Sequence, residues 1–424
     1  MGRLGPTSDS IAPTSSDDKG GTSRSLHGRV EFFVLVSIVI VLLIILILLV
    51  LFRKHTKIVK LTTFLFKTEG KPATTDYFSG NLRTISYYKF QTLKKATKNF
   101  HRANQLGRGG FGPVYRGKLQ DGKMIAVKQL SLDKSQQGET EFLAEVRMIT
   151  SIQHKNLVRL LGCCSDGQQR LLVYEYMKNR SLDLILYGKV DYFLNWKVRF
   201  QIILGIARGL QYLHEDSHMR IVHRDIKASN ILLDDKFQPK IGDFGLARFF
   251  PEDELYLSTT FAGTLGYTAP EYAIRGELSE KADIYSYGVL VLEIIGCRKN
   301  TDLTLPSEMQ YLPEYAWKLY ERSNILELVD PKLREDGYKE KDMLQAIHVA
   351  FLCLQPYPKK RPPMSQIVAM LTCKLDLVSM PTKPACLDRL CRKPDDNRSW
   401  EAISEFFPSP VLSDISPTLG RPRT

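Results

Sequence analysis

Ile221-Val222-His223-Arg224-Asp225-Ile226-Lys227-Ala228-Ser229-Asn230 is the stretch whose reading decides the fold. It places a carboxylate, Asp225, and an amide, Asn230, in a short polar loop after a helical run. A carboxylate so placed orients a hydroxyl and takes its proton, and an amide oxygen five residues on reaches a metal ion. Strand-like Pro239-Lys240-Ile241 then leads into Asp243-Phe244-Gly245. An acidic group there suits a hard cation such as Mg2+ bridging phosphates. Gly245 permits a turn and Phe244 is free to pack inward.

Upstream lies Gly107-Arg108-Gly109-Gly110-Phe111-Gly112-Pro113-Val114, a glycine-rich run that lets backbone approach phosphates. Alone it is weak, because dinucleotide-binding folds show the same spacing. Here Val114 and Tyr115 continue as a strand, not a helix, and Ile125-Ala126-Val127-Lys128 follows at hairpin distance. That context excludes a dinucleotide enzyme. Lys128 is the one charge in an apolar strand, so it needs a partner. The helical spacing of Phe142, Val146 and Ile149 within residues 139–152 offers Glu145, with Glu139 and Glu141 as rivals.

Ala269-Pro270-Glu271 follows about 25 residues after the Asp-Phe-Gly motif. Taken in order, these motifs make the chain resemble the eukaryotic protein kinases over about 275 residues. The phrases Ala96-Thr97-Lys98-Asn99-Phe100, His154-Lys155-Asn156-Leu157-Val158 and Lys281-Ala282-Asp283-Ile284-Tyr285-Ser286 narrow the likeness. They are similar to plant receptor-like serine/threonine kinases of the Pelle type, the cysteine-rich receptor-like group among them. The resemblance implies an α+β, two-lobed kinase fold that uses ATP with Mg2+ (Mn2+ as the alternative) to phosphorylate Ser or Thr of protein substrates, itself included. It assigns catalysis to Asp225, Lys227, Lys128 and Glu145, and metal binding to Asn230 and Asp243. It assigns the nucleotide to Leu106, Gly107, Gly109, Gly112, Val114, Ala126, Lys128, Tyr174, Glu175, Met177 and Leu232. Within that set Tyr174 is the gatekeeper, and backbone groups of Glu175 and Met177 meet adenine.

By the same likeness Asp283 braces the catalytic loop, Glu271 pairs with Arg361, and Arg224 receives a phosphate from the activation segment. Ser258, Thr259 and Thr260 are the acceptors expected there, Thr259 first, whereas Thr264 is expected to contact Asp225 and Lys227. Thr268 departs from the family's usual Met or Leu beside the peptide groove, which leaves substrate preference open.

The chain has 424 residues, 43% hydrophobic and 25% charged, with a net charge of +13. Phe32 to Phe52 is a run of 21 residues without charge. At 1.5 Å per residue a helix of that length reaches roughly 31 Å, enough to cross a bilayer. Arg53, Lys54 and His55 follow it, where a signal peptide would have small residues. The expected order is a polar exoplasmic tail (1–31), one transmembrane helix (32–52), a basic juxtamembrane linker (53–97), the kinase domain (98–374) and a disordered tail (375–424). The excess of basic charge then points to membrane lipid rather than nucleic acid. The plasma membrane is the expected location, with the kinase domain cytosolic. With only about 30 residues before the span, sensing falls to a co-receptor or ligand-binding partner, or the sequence is a shortened gene product. All seven cysteines follow the span without metal-ligand spacing, so reduced thiols are expected. The rival reading is a membrane-anchored pseudokinase scaffold. The presence of Lys128, Asp225, Asn230 and Asp243 together argues against it.

Overall fold

The computed structural model describes residues 86–109, 112–130, 142, 145–146, 148–166, 169–188, 192–251, 254, 256–259, 262–372 and 380–384, together with Leu43 and Leu46. The expected span at 32–52 lies outside the described residues except for those two leucines, both helical and exposed. Among the described residues no helix is long and apolar enough to cross a membrane.

The N-terminal lobe is a six-stranded sheet in the order β1-β5-β6-β4-β3-β2. Its strands are β1 (Ser86–Tyr87), β2 (Gln105–Gly109), β3 (Gly112–Lys118), β4 (Met124–Gln129), β5 (Leu160–Asp166) and β6 (Gln169–Glu175). β1 runs parallel to β5 and the other neighbours are antiparallel. The centre of the sheet is β-branched and apolar, as a strand buried on both faces must be. Ile125, Val127, Leu171 and Val173 are fully buried. Helix α1 (Phe90–Ala96) covers the outer face by driving Leu93 into that cluster, with Phe90 and Phe100 packed against it. The side chain of Thr97 closes the helix by donating to the Leu93 carbonyl at 2.8 Å. Thus β1 and α1, which precede residue 98, are built into this lobe.

The C-terminal lobe is helical. α2 (Leu182–Leu186) follows the connection from β6, and α3 (Trp196–Gln211) starts at Asn195, whose side chain accepts from the Val198 amide. Ile202, Ile206 and Leu210 form the buried stripe that the spacing predicts. The helix then widens into a π turn at Tyr212–Asp216. Three short ribbons follow: β7 (Ile221–Val222) with β10 (Arg248–Phe249), β8 (Ile231–Leu233) with β9 (Pro239–Ile241), and β11 (Leu257–Ser258) with β12 (Glu277–Leu278). α4 (Pro270–Arg275) lies between β11 and β12 in sequence.

α5 (Glu280–Gly296) is the post of this lobe and is buried along nearly its whole length. α6 (Leu312–Glu321), α7 (Pro331–Asp336), α8 (Glu340–Cys353) and α9 (Met364–Thr372) complete it. Cys163, Cys164 and Cys353 are buried as free thiols, and burial pushes Cys163 up to about 12 and Cys164 to about 11. The tail expected to be disordered contains one anchored piece. Gln355 accepts from the Thr382 hydroxyl at 2.6 Å and donates to its carbonyl, and Pro381 and Pro384 are buried.

Candidate active site

Two ribbons string the reactive loop across the mouth of the cleft. Residues 223–230 are held between β7 and β8, and Asp243 comes directly after β9 and Gly242. Asp283, at the start of α5 and fully buried, fastens the loop from below. It accepts from the His223 amide (2.7 Å), the Arg224 amide (2.8 Å) and His214 Nε2 (2.9 Å). Burial raises the Asp283 pKa, but the His214 hydrogen bond and charge, with His223, hold it below the usual carboxylate range. An ionised buried carboxylate with that many donors is a rigid anchor. It lets Arg224 keep φ +72°, a left-handed backbone that costs a non-glycine residue about 1–2 kcal/mol.

Asp225 is buried and its two oxygens are shared among three side chains. Thr264 Oγ donates to Oδ1 at 2.7 Å. Asn230 Nδ2 and Lys227 Nζ reach Oδ2 at 2.9 and 2.7 Å. Lys227 Nζ also donates to Thr264 Oγ at 2.8 Å, so the contact expected of Thr264 with both residues is present. With its Nδ2 committed to Asp225, Asn230 keeps Oδ1 as the atom that could reach a cation.

Lys128 links the lobes. Its Nζ lies 3.0 Å from both oxygens of Glu145 and 2.8 Å from Asp243 Oδ1. Of the three glutamates left open by spacing, Glu145 stands at the lysine, and Glu139 and Glu141 lie outside the described residues. Burial alone would lower the lysine's pKa, yet Glu145 and Asp243 outweigh it and hold it above its ordinary value. Burial raises Asp243 in turn, and Lys128 pulls it below the normal range. Both groups stay charged at neutral pH, as phosphate and metal binding require.

Asp243 sits at φ +64°, and Phe244 turns inward against the His223 ring, 5.0 Å between centroids. A Cβ placed on Gly109 would come 3.9 Å from Asp243 Oδ2, so the end of β2 lies close to the acid. Gly110 and Phe111 lie outside the described residues. Val114 stands opposite Lys128 on β3 and β4, and Ala126 stands opposite Tyr174 on β4 and β6. Leu106 on β2 and Leu232 on β8 belong to the two lobes respectively.

The Tyr174 hydroxyl donates to Glu145 Oε1 at 2.5 Å, so this tyrosine is tied to the ion pair. Removing that hydroxyl in Tyr174→Phe is expected to cost about 1–3 kcal/mol, read as a lower thermal midpoint. Glu175 takes Lys240 Nζ at 2.9 Å and the Arg159 amide at 2.8 Å, which fixes the strand end, and Met177 is buried beyond it.

The donor set fits a hard cation. It comprises a carboxylate and an amide oxygen, both in the cleft. Among the described residues there is no group of three or more His, Cys, Asp or Glu that could hold a metal by themselves. A cation here must complete its shell with phosphate and water oxygens, the usual habit of Mg2+.

The protein kinase domain family matches residues 100–371. This chain belongs to the protein kinase family. A probable LRR receptor-like serine/threonine-protein kinase of Arabidopsis thaliana is 43% identical over 384 residues, covering 91% of this chain and 35% of the relative. Cold-responsive protein kinase 1 of the same plant is 48% identical over 297 residues, covering 69% and 76%. A G-type lectin S-receptor-like serine/threonine-protein kinase, also from Arabidopsis thaliana, is 45% identical over 343 residues, covering 80% and 40%. The chain spans about a third of the length of the LRR receptor-like relative. Its likeness is to the plant receptor-like serine/threonine kinases.

One cluster of the kinase domain escaped sequence reading. Glu293, at the other end of α5 from Asp283, accepts from the hydroxyls of Tyr187 (2.8 Å) and Tyr267 (2.6 Å) and from the Asn300 amide (2.7 Å). Burial pushes its carboxyl up to about 7 against those donors. The signal was present, since Glu293 is the one charge in the apolar run Tyr285–Ile295. His214 was missed too, because nothing in the sequence marks the π turn that aims it at Asp283.

Proposed function

We propose that the chain transfers the γ-phosphate of ATP to serine or threonine hydroxyls of protein substrates, itself included. The observation that carries this reading is a pair of contact networks, Glu145–Lys128–Asp243 and Asn230–Asp225–Lys227–Thr264. In this reading Lys128 grips the α- and β-phosphates, held in place by Glu145. Asp243 and Asn230 would hold Mg2+, which would supply positive charge to offset that of the phosphates. Asp225 orients the acceptor hydroxyl and receives its proton as the oxygen bonds to γ-phosphorus. The bond from γ-phosphorus to the bridging oxygen breaks, and its electron pair leaves with ADP. Lys227 neutralises charge on the moving phosphoryl group. Adenine meets the backbone of Glu175 and Met177, with Leu106, Val114, Ala126 and Leu232 around the ring.

The proposed setting is one membrane span at residues 32–52, with the kinase domain on the cytosolic side and the juxtamembrane lysines against anionic lipid. A co-receptor or ligand-binding partner supplies the signal. The stretch Ser258–Thr260 carries the activating phosphorylation, Thr259 first. There the Thr259 amide donates to the Gly276 carbonyl, and Leu257–Ser258 pairs with β12.

The test uses the full chain in detergent with Mg-ATP and dephosphorylated casein, beside Asp225→Asn. Removing a positioned base is expected to slow transfer by about 10²–10⁴-fold. Equal rates would leave the scaffold reading instead.

A further inference from the structure

The loop that carries Thr264 continues as Leu265-Gly266-Tyr267-Thr268. Leu265 is 61% exposed, an apolar side chain next in sequence to the threonine that donates to Asp225. The rest of the loop is fastened from behind. Thr268 Oγ donates to the Thr264 carbonyl at 3.0 Å, and Ser286 Oγ on α5 donates to the Tyr267 carbonyl at 2.7 Å. Gly266 sits at φ +91°, and a Cβ there would come 2.8 Å from Asn300 Oδ1, so Asn300 backs the loop closely.

The Tyr267 ring reaches past this backbone to Glu293, and there it meets a residue from a different element. Tyr187 is the first residue beyond α2, and its hydroxyl takes the other oxygen of the same carboxylate. The contacts therefore run without a gap from Asp225 through Thr264, the loop, Tyr267 and Glu293 to Tyr187. The Lys299 ammonium stands 5.8 Å over the Tyr187 ring, which adds a second hold on the tyrosine.

We propose that Tyr187 and Tyr267 clasp Glu293 as a two-tyrosine latch, and that Tyr187 is thereby a positioning residue for the protein substrate. The inference rests on the phosphoryl-transfer reading above. Its physical basis is that a carboxylate held by two phenols from separate elements fixes the loop to α2 as well as to α5. Without the Tyr187 hydroxyl, Glu293 keeps Tyr267 and the Asn300 amide, so it is not left unpaired and the domain folds. What is lost is the tie to α2, and the loop that displays Leu265 becomes looser. Reacting groups at Lys128, Asp225 and Asp243 are untouched.

Tyr187→Phe in the full chain separates these effects. With casein as the probe, its KM is expected to rise about 5- to 10-fold, the scale of one ordinary net hydrogen bond. The kcat and the KM for ATP should stay within about twofold, since only ground-state positioning is removed. Backbone amides of residues 265–267 should exchange faster in the variant, while those of Ile202–Leu210 keep the wild-type rate. An unchanged casein KM, or a fall in kcat matched by a rise in ATP KM, would overturn the latch. Unchanged exchange at 265–267 would overturn it as well. Because exchange does not depend on turnover, a wild-type chain that labels no casein would defeat the kinase reading while the exchange comparison still judges the latch.

Discussion

Lys128→Met is expected to lower phosphoryl transfer by at least about 10²- to 10³-fold, the cost of deleting one preorganised charge stabiliser in a water-poor cleft. The side chain volume is nearly kept, so packing between β4 and the lobe below it survives. The charge does not. Glu145 is 2% exposed and retains the Tyr174 hydroxyl as its donor, while Asp243 loses the ammonium that holds it ionised. Glu145 and Asp243 then have no ammonium between them, and on the proposed reading ATP affinity falls along with turnover. Titration of ATP binding beside the initial rate of ADP release measures both. A variant that binds and turns over ATP like the wild type would remove Lys128 from the site.

Arg361→Ala carries the largest expected loss of stability, about 3–5 kcal/mol, the cost of leaving one member of a buried pair alone. Arg361 is 1% exposed and Glu271 2%. The guanidinium forks onto both oxygens of Glu271 at 2.6 and 2.8 Å. It also donates to the carbonyls of Gln355 and Lys281, each at 2.8 Å, and lies over the Tyr285 ring. A solvated pair would contribute under about 1 kcal/mol, and burial is what removes this one from that class. At roughly 2 °C per kcal/mol for a domain of this size, the thermal midpoint should drop by about 6 °C or more. Lysine cannot supply the fork, so Arg361→Lys should recover only part of the loss. A midpoint within about 1 °C of the wild type would show the pair to be dispensable.

The reactive residues were legible because each sits in a short motif whose chemistry is local. Asp225 and Asn230 are five residues apart, and one loop suffices to bring them together. Lys128 could be singled out as the one charge in an apolar strand, but its partner could not, since helical spacing admits Glu139, Glu141 and Glu145 alike. It takes the folded chain to bring Glu145 to Lys128. Glu271 and Arg361 are 90 residues apart, and no periodicity joins them. Family likeness named that pair where physical reading of the residues could not.

The harder failure is Glu293. The run Tyr285–Ile295 reads as apolar nearly all round, and a single carboxylate within it was passed over. Its partners come from the residue after α2, from the loop at Thr264–Thr268 and from the turn after α5, three places that share no sequence pattern. The role of α1 was hidden for a similar reason. Phe90 and Leu93 read as scattered apolar residues in a basic linker until the face of the sheet supplies what they cover.

Phosphoamino-acid analysis tests most directly whether this cleft is a phosphoryl-transfer centre for aliphatic hydroxyls. The full chain is incubated with Mg-ATP labelled at the γ-phosphate, alone and with casein, and hydrolysed beside Asp225→Asn. The expected result is phosphoserine and phosphothreonine from the wild type and little label of any kind from the variant. Label confined to phosphotyrosine, or equal label from both chains, would contradict it.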